Sequence, residues 1–145
     1  MKIIAFFLFL AAAIYYVWNG KDFYGRQDWA GLGKKFIGVM VGIVILAFAL
    51  KGLVFVIPGF TNNNAGNLME EIGMSFIFIL GMKFIIVMLC TMLRSIMGFH
   101  RTFNAGNYNK ISSVSNKLAP GLLIFAKCIA SLGAIVIYYG IWLAH

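Results

Sequence analysis

The chain predicts an all-α fold, a polytopic membrane helix bundle with four transmembrane helices. Three observations carry that expectation: 62% of the 145 residues are hydrophobic, only 11% are charged, and the apolar residues gather in four long runs. Soluble domains carry roughly 25% charged residues. A mean hydropathy of +0.92 therefore puts lipid, not water, around most of the chain. The runs cover residues 3–18, 36–57, 72–97 and 121–144 and build a single membrane domain over 1–145.

The first run, Ile3 to Trp18, extends about 24 Å as a helix, short of a hydrocarbon core of about 30 Å. If it lies in the interface, a three-span arrangement follows. Its outline, Met1-Lys2, an apolar stretch and then Ala11-Ala12-Ala13, resembles a secretory signal, but one basic residue makes a weak leader; a retained first helix is expected. The other three runs hold 22, 26 and 24 residues, enough to cross with some tilt. In front of the third, Asn67-Leu68-Met69-Glu70 reads as a helix start, with Asn67 as N-cap and Glu70 reaching back to it. Pro120 suits the first turn of the last helix. Ile111, Val114 and Leu118, set among serines, Asn116 and Lys117, suggest a short amphipathic helix on the inner surface.

Charge sets the expected orientation. The loop 19–35 holds Lys21, Arg26, Lys34 and Lys35, and the loop 98–120 with its approach holds Arg94, Arg101, Lys110 and Lys117, whereas the Asn-rich loop 58–71 has no basic residue. By the positive-inside rule the two basic loops are cytoplasmic, with the termini and the loop 58–71 outside, as in a bacterial inner-membrane protein. Aromatic residues at Tyr15, Tyr16, Trp18, Phe23, Tyr24 and Trp29, and again at Tyr138, Tyr139 and Trp142, fit interfacial belts. A net charge of +8 without a dense basic cluster argues against nucleic acid and for anionic lipid headgroups as the counter-charge.

Three lysines stand inside the apolar runs, while all four acidic residues stand outside them. An ammonium at the bilayer centre costs about 2.5–3.5 kcal/mol on insertion scales, so each needs a partner, water, or a route to the interface. Lys51 and Lys127 lie about 9–10 Å from the ends of their runs and can snorkel. Lys83 lies about 16–21 Å from either end, beyond the reach of its side chain. It shares a helix face with Cys90 and Arg94, and Glu71 is too far along the same helix to pair with it. Its partner is expected from elsewhere: a backbone carbonyl, water, a lipid phosphate, or a carboxylate of another chain.

Two faces have the small residues of close helix contacts. Gly38 and Gly42 form a GxxxG that Ala49 continues, opposite Lys51 on the same helix, so this helix offers two interaction surfaces. On the last helix, Ala126, Ala130, Gly133 and Ala134 are expected to pack closely, in preference to a polar stripe through Lys127, Ser131 and Tyr138.

Enzyme chemistry is not legible. No catalytic set, nucleotide fingerprint, cofactor motif or metal site is present: His100 and His145 fall on opposite sides, and Met88, Cys90 and Met92 diverge around their helix. Cys90 and Cys128 are expected to be inert buried thiols, with a redox pair as a remote option. The expected function is that of a small non-enzymatic subunit assembling with itself or with other membrane proteins. The alternative is an oligomeric anion-favouring pore, or a membrane-disrupting effector of the holin-like or defence kind, lined by Lys51, Lys83 and Lys127.

Overall fold

The computed structural model describes residues 2–144 and is all-helical. Its four helices are α1 (Lys2–Trp18), α2 (Arg26–Val56), α3 (Asn62–Phe103) and α4 (Ala105–Trp142). The last three are long and apolar enough to cross a membrane, and α1 is a shorter apolar helix of 17 residues. At 42 and 38 residues, α3 and α4 extend about 63 and 57 Å, twice the hydrocarbon thickness.

The helices run well past the apolar runs that announced them, because polar residues here cap or continue helices instead of ending them. Helix α2 starts ten residues before residue 36, where the Asp28 carboxylate accepts the Gly25 N–H at 3.0 Å and satisfies a donor of the first turn. The cap of α3 is Thr61, whose hydroxyl accepts the Asn64 N–H at 3.2 Å. Asn67 and Glu70 therefore lie inside α3 and do not cap it, a correction to the sequence reading. The expected loop 98–120 is helix apart from Asn104, and the separate amphipathic helix over 111–118 is part of α4. Pro120 sits in the interior of α4, not in its first turn.

Tight turns occur where glycine permits them. Helix α1 ends at Trp18, and Gly20 follows in the left-handed region at φ 85°, as at many helix C-termini. Between α2 and α3, Pro58 and Gly59 make a reverse turn in which Gly59 has φ 87° and the Phe60 N–H reaches the Ile57 carbonyl at 3.2 Å.

Helix α3 is the spine. It packs against all three other helices, α1 packs also against α4, and α2 packs along α3, reaching α1 only through the Lys35–Tyr16 side chains among the described residues. Helix α1 runs parallel to α3: Lys2 pairs with Glu71 at 2.8 Å near its start, and the loop after its end meets Lys83. Helix α2 runs antiparallel, with Trp29 against Phe84 and Ile43 against Gly73. The core between α1, α3 and α4 holds Phe6, Ala13, Val17, Met82, Ile86, Ala134, Tyr138 and Trp142. Phe9 stacks on the rings of both Tyr138 and Trp142.

Gly73 is where α2 and α3 approach closely: a Cβ there would come within 3.3 Å of Ile43 Cδ1. Gly73→Val should cost about 1–3 kcal/mol by overpacking. Gly81→Ala, where a Cβ meets nothing within 4 Å, should be neutral or stabilising. Thermal unfolding of the two variants in detergent checks the contrast.

Candidate functional site: a carboxylate shared by two buried lysines

The partner of Lys83 is Asp22, in the loop after α1. Its Oδ1 lies 3.3 Å from Lys83 Nζ, and its Oδ2 lies 2.8 Å from Lys127 Nζ. One carboxylate thus joins α3 and α4 to the loop 19–25. Lys83 also donates to the Asn19 carbonyl at 3.2 Å, a group at the C-terminal end of α1. Such carbonyls lack helical partners and carry the negative end of the helix dipole, so a cation is favoured there.

Burial makes the arrangement consequential. The side chains of Lys83, Lys127 and Asp22 are 2%, 7% and 18% exposed. Ions taken out of water lose hydration, and only close pairing and further hydrogen bonds offset that loss. Trp18 lines the centre: its indole Nε1–H donates to Ser131 Oγ at 3.0 Å, and its ring lies 5.9 Å from the Lys127 ammonium as a cation–π neighbour. Ser131 in turn donates to the Lys127 carbonyl at 2.8 Å. The centre thus holds two lysines for one carboxylate.

A second polar cluster closes the opposite end of α1. Ser75 is fully buried in α3; its carbonyl accepts the Tyr138 hydroxyl at 3.0 Å, and its Oγ accepts the Trp142 Nε1–H at 3.0 Å. Ser75 Oγ donates to the Glu71 carbonyl at 2.7 Å, so both ends of its hydroxyl are used. The inward face of α4 accordingly includes the polar stripe of Lys127, Ser131 and Tyr138 as well as the small Ala134, which corrects the expectation of a purely small-residue surface.

The remaining sequence-derived candidates do not join this centre. Unlike Lys127, which the centre holds inside, Lys51 is exposed on α2. Arg94 shares the side of α3 that bears Lys83 and Cys90, but it is exposed below the packed region. Gly38, Gly42 and Ala49 are exposed, and a Cβ added to either glycine meets nothing within 4 Å. Glu70 is exposed, while Glu71 pairs with Lys2. Cys90 is buried and Cys128 exposed, both as free thiols, so they do not make a disulfide. His145 lies outside the described residues, and His100 is half-buried. Among the described residues no group of histidine, cysteine and carboxylate side chains is placed to hold a metal ion.

Asp22→Ala should orphan two buried ammoniums and cost about 3–5 kcal/mol. Lys51→Ala, at an exposed site without a hydrogen-bond or ion-pair partner among the described residues, should stay within about 0.5 kcal/mol of the parent. Denaturation of both variants in detergent measures the difference. The chain matches no protein family, no curated protein and no solved structure, so the functional reading rests on these residues alone.

Proposed function

We propose that the protein is a small, non-enzymatic integral membrane subunit that assembles with copies of itself or with other membrane proteins through the outer face of α2. The observation that carries this reading is the isolation of α2. Leu32, Phe36, Val39, Ile43, Leu46, Leu50 and Val54 recur at helical spacing on its covered side, and that side meets α3 only. Gly38, Gly42 and Ala49 lie on the uncovered side. In lipid, apolar side chains gain little by leaving the solvent, so helices associate where small residues let backbones come close. An uncovered GxxxG on a helix that packs along one neighbour, α3, fits such a contact.

The pore reading has less support. Lys83 and Lys127, needed at the middle and inner levels of a cationic lining, face Asp22 inside the bundle. Of the three lysines only Lys51 is exposed.

Gly42→Leu fills the α2 face while leaving the fold intact, since nothing lies within 4 Å of a Cβ at that position. Native mass measurement after gentle extraction should find the parent in assemblies and the Gly42→Leu protein shifted toward the single chain. A parent that is monomeric, or a variant with unchanged stoichiometry, contradicts the proposal.

A further inference from the structure

The apolar exterior of the molecule ends at two different heights on its inner side. Around α1 and α2 it ends at the level of the Asp22 centre, because Trp18 reaches Ser131, Trp29 lies against Phe84, and Lys35 donates to the Tyr16 hydroxyl at 2.9 Å. Along α3 and α4 it continues to Arg94 and Pro120, which lie about 16 Å and 10 Å farther along their helices from Lys83 and Lys127. The α3–α4 hairpin below the centre is exposed and apolar, with Leu93 and Ile96 at 41% and 54% exposure.

The shallower edge has the composition of a membrane interface. Tyr15, Trp18 and Phe23 are exposed there, and Trp29 is half-exposed beside them. Four cations accompany them: Lys21, Arg26, Lys34 and Lys35. The local carboxylates are already engaged, Asp22 by the two buried lysines and Asp28 by Lys21 at 3.1 Å and the Gly25 N–H. Arg26 and Lys34 have no ion-pair or hydrogen-bond partner among the described residues. Behind them the centre holds two lysines for one carboxylate. Six cations against two carboxylates, framed by aromatic rings, call for anions supplied from outside the chain at this height.

We propose that Arg26, Lys34 and Lys35, on the first turns of α2, bind the phosphates of anionic phospholipids. The inner headgroup layer then meets the α1–α2 side of the protein at the level of Asp22, well short of the end of the α3–α4 apolar surface. The apolar run of α1, about 24 Å long, matches a bilayer thinned on that side. This inference goes beyond the assembly reading, since the lipid platform occupies the base of α2 and the small-residue face lies higher on the helix.

The test compares the full-length parent with Arg26→Gln/Lys34→Gln/Lys35→Gln and with Arg94→Gln/Arg101→Gln, whose changes lie on the hairpin. Thermal unfolding in detergent is followed with added phosphatidylglycerol, phosphatidylcholine or inorganic phosphate. Phosphatidylglycerol alone should raise the parent's midpoint; most of the rise should vanish in the α2 variant and survive in the hairpin variant. A rise unchanged in the α2 variant, lost equally in the hairpin variant, or reproduced by inorganic phosphate overturns the proposal. Independently, a nitroxide attached through Phe23→Cys in a Cys90→Ala/Cys128→Ser background should report headgroup depth in phosphatidylglycerol-containing vesicles. Hydrocarbon depth, or bulk-water exposure, at that position also overturns it.

Discussion

The fold depends on one carboxylate. Asp22 lies on neither α3 nor α4, yet it is the group that lets each carry a lysine toward the interior. Remove the loop, and two ammoniums stand in an apolar bundle without a counter-ion. With it in place, Lys83 donates to the Asn19 carbonyl and to Asp22, while Lys127 donates to Asp22 and lies against the Trp18 ring. The ionic centre therefore fixes where α1 ends, how deep its loop sits and how α3 and α4 are registered. Apolar packing alone specifies such registers weakly, because one Leu or Ile contact in lipid resembles the next.

The other end of the three-helix core is fixed by neutral hydrogen bonds around Ser75. Tyr138 and Trp142 reach that residue from α4, and Phe9 of α1 stacks on both rings. Two polar anchor points and the core between them hold α1, α3 and α4 as one unit. Among the described residues, helix α2 has no comparable polar anchor beyond Lys35. Its attachments are Ile43 at Gly73, Trp29 at Phe84 and the Lys35–Tyr16 hydrogen bond near its start. That asymmetry makes α2 the element most open to outside partners: protein along its small-residue face, lipid phosphate at its base.

Composition and apolar runs made the helical membrane fold legible, because both follow from the solvent and not from any particular contact. The cation requiring a partner was legible too. Lys83 stands farther from either end of its apolar run than its side chain reaches, and in the fold it meets Asp22. What the sequence hid was the source of the partner, and the reason is geometric. Distance along the third apolar run alone, from Ile72 to Met97, makes a same-chain loop look unreachable. The usable signal was the shortness of the first run: a helix of about 24 Å that starts beside Glu71 must deliver its following loop near the middle of α3. Lys127 misled for the opposite reason, since closeness to a helix end says nothing about which way a side chain faces. Thr61 does not stand out as a cap in the sequence because the asparagines after it resemble a loop, although they form the first turn of α3. The GxxxG of α2 was legible as a motif, but only the packing distinguishes its uncovered side from the side that meets α3.

The central claim is that Asp22, Lys83 and Lys127 act as one unit, and a mutant cycle tests it most directly. Unfolding free energies in detergent are compared for Asp22→Asn, Lys83→Met, Lys127→Met and the combined triple replacement. The account predicts strong non-additivity: the triple protein, with no buried charge left to satisfy, regains most of the stability that Asp22→Asn alone removes. Losses that simply add, leaving the triple protein the least stable of the set, would contradict it.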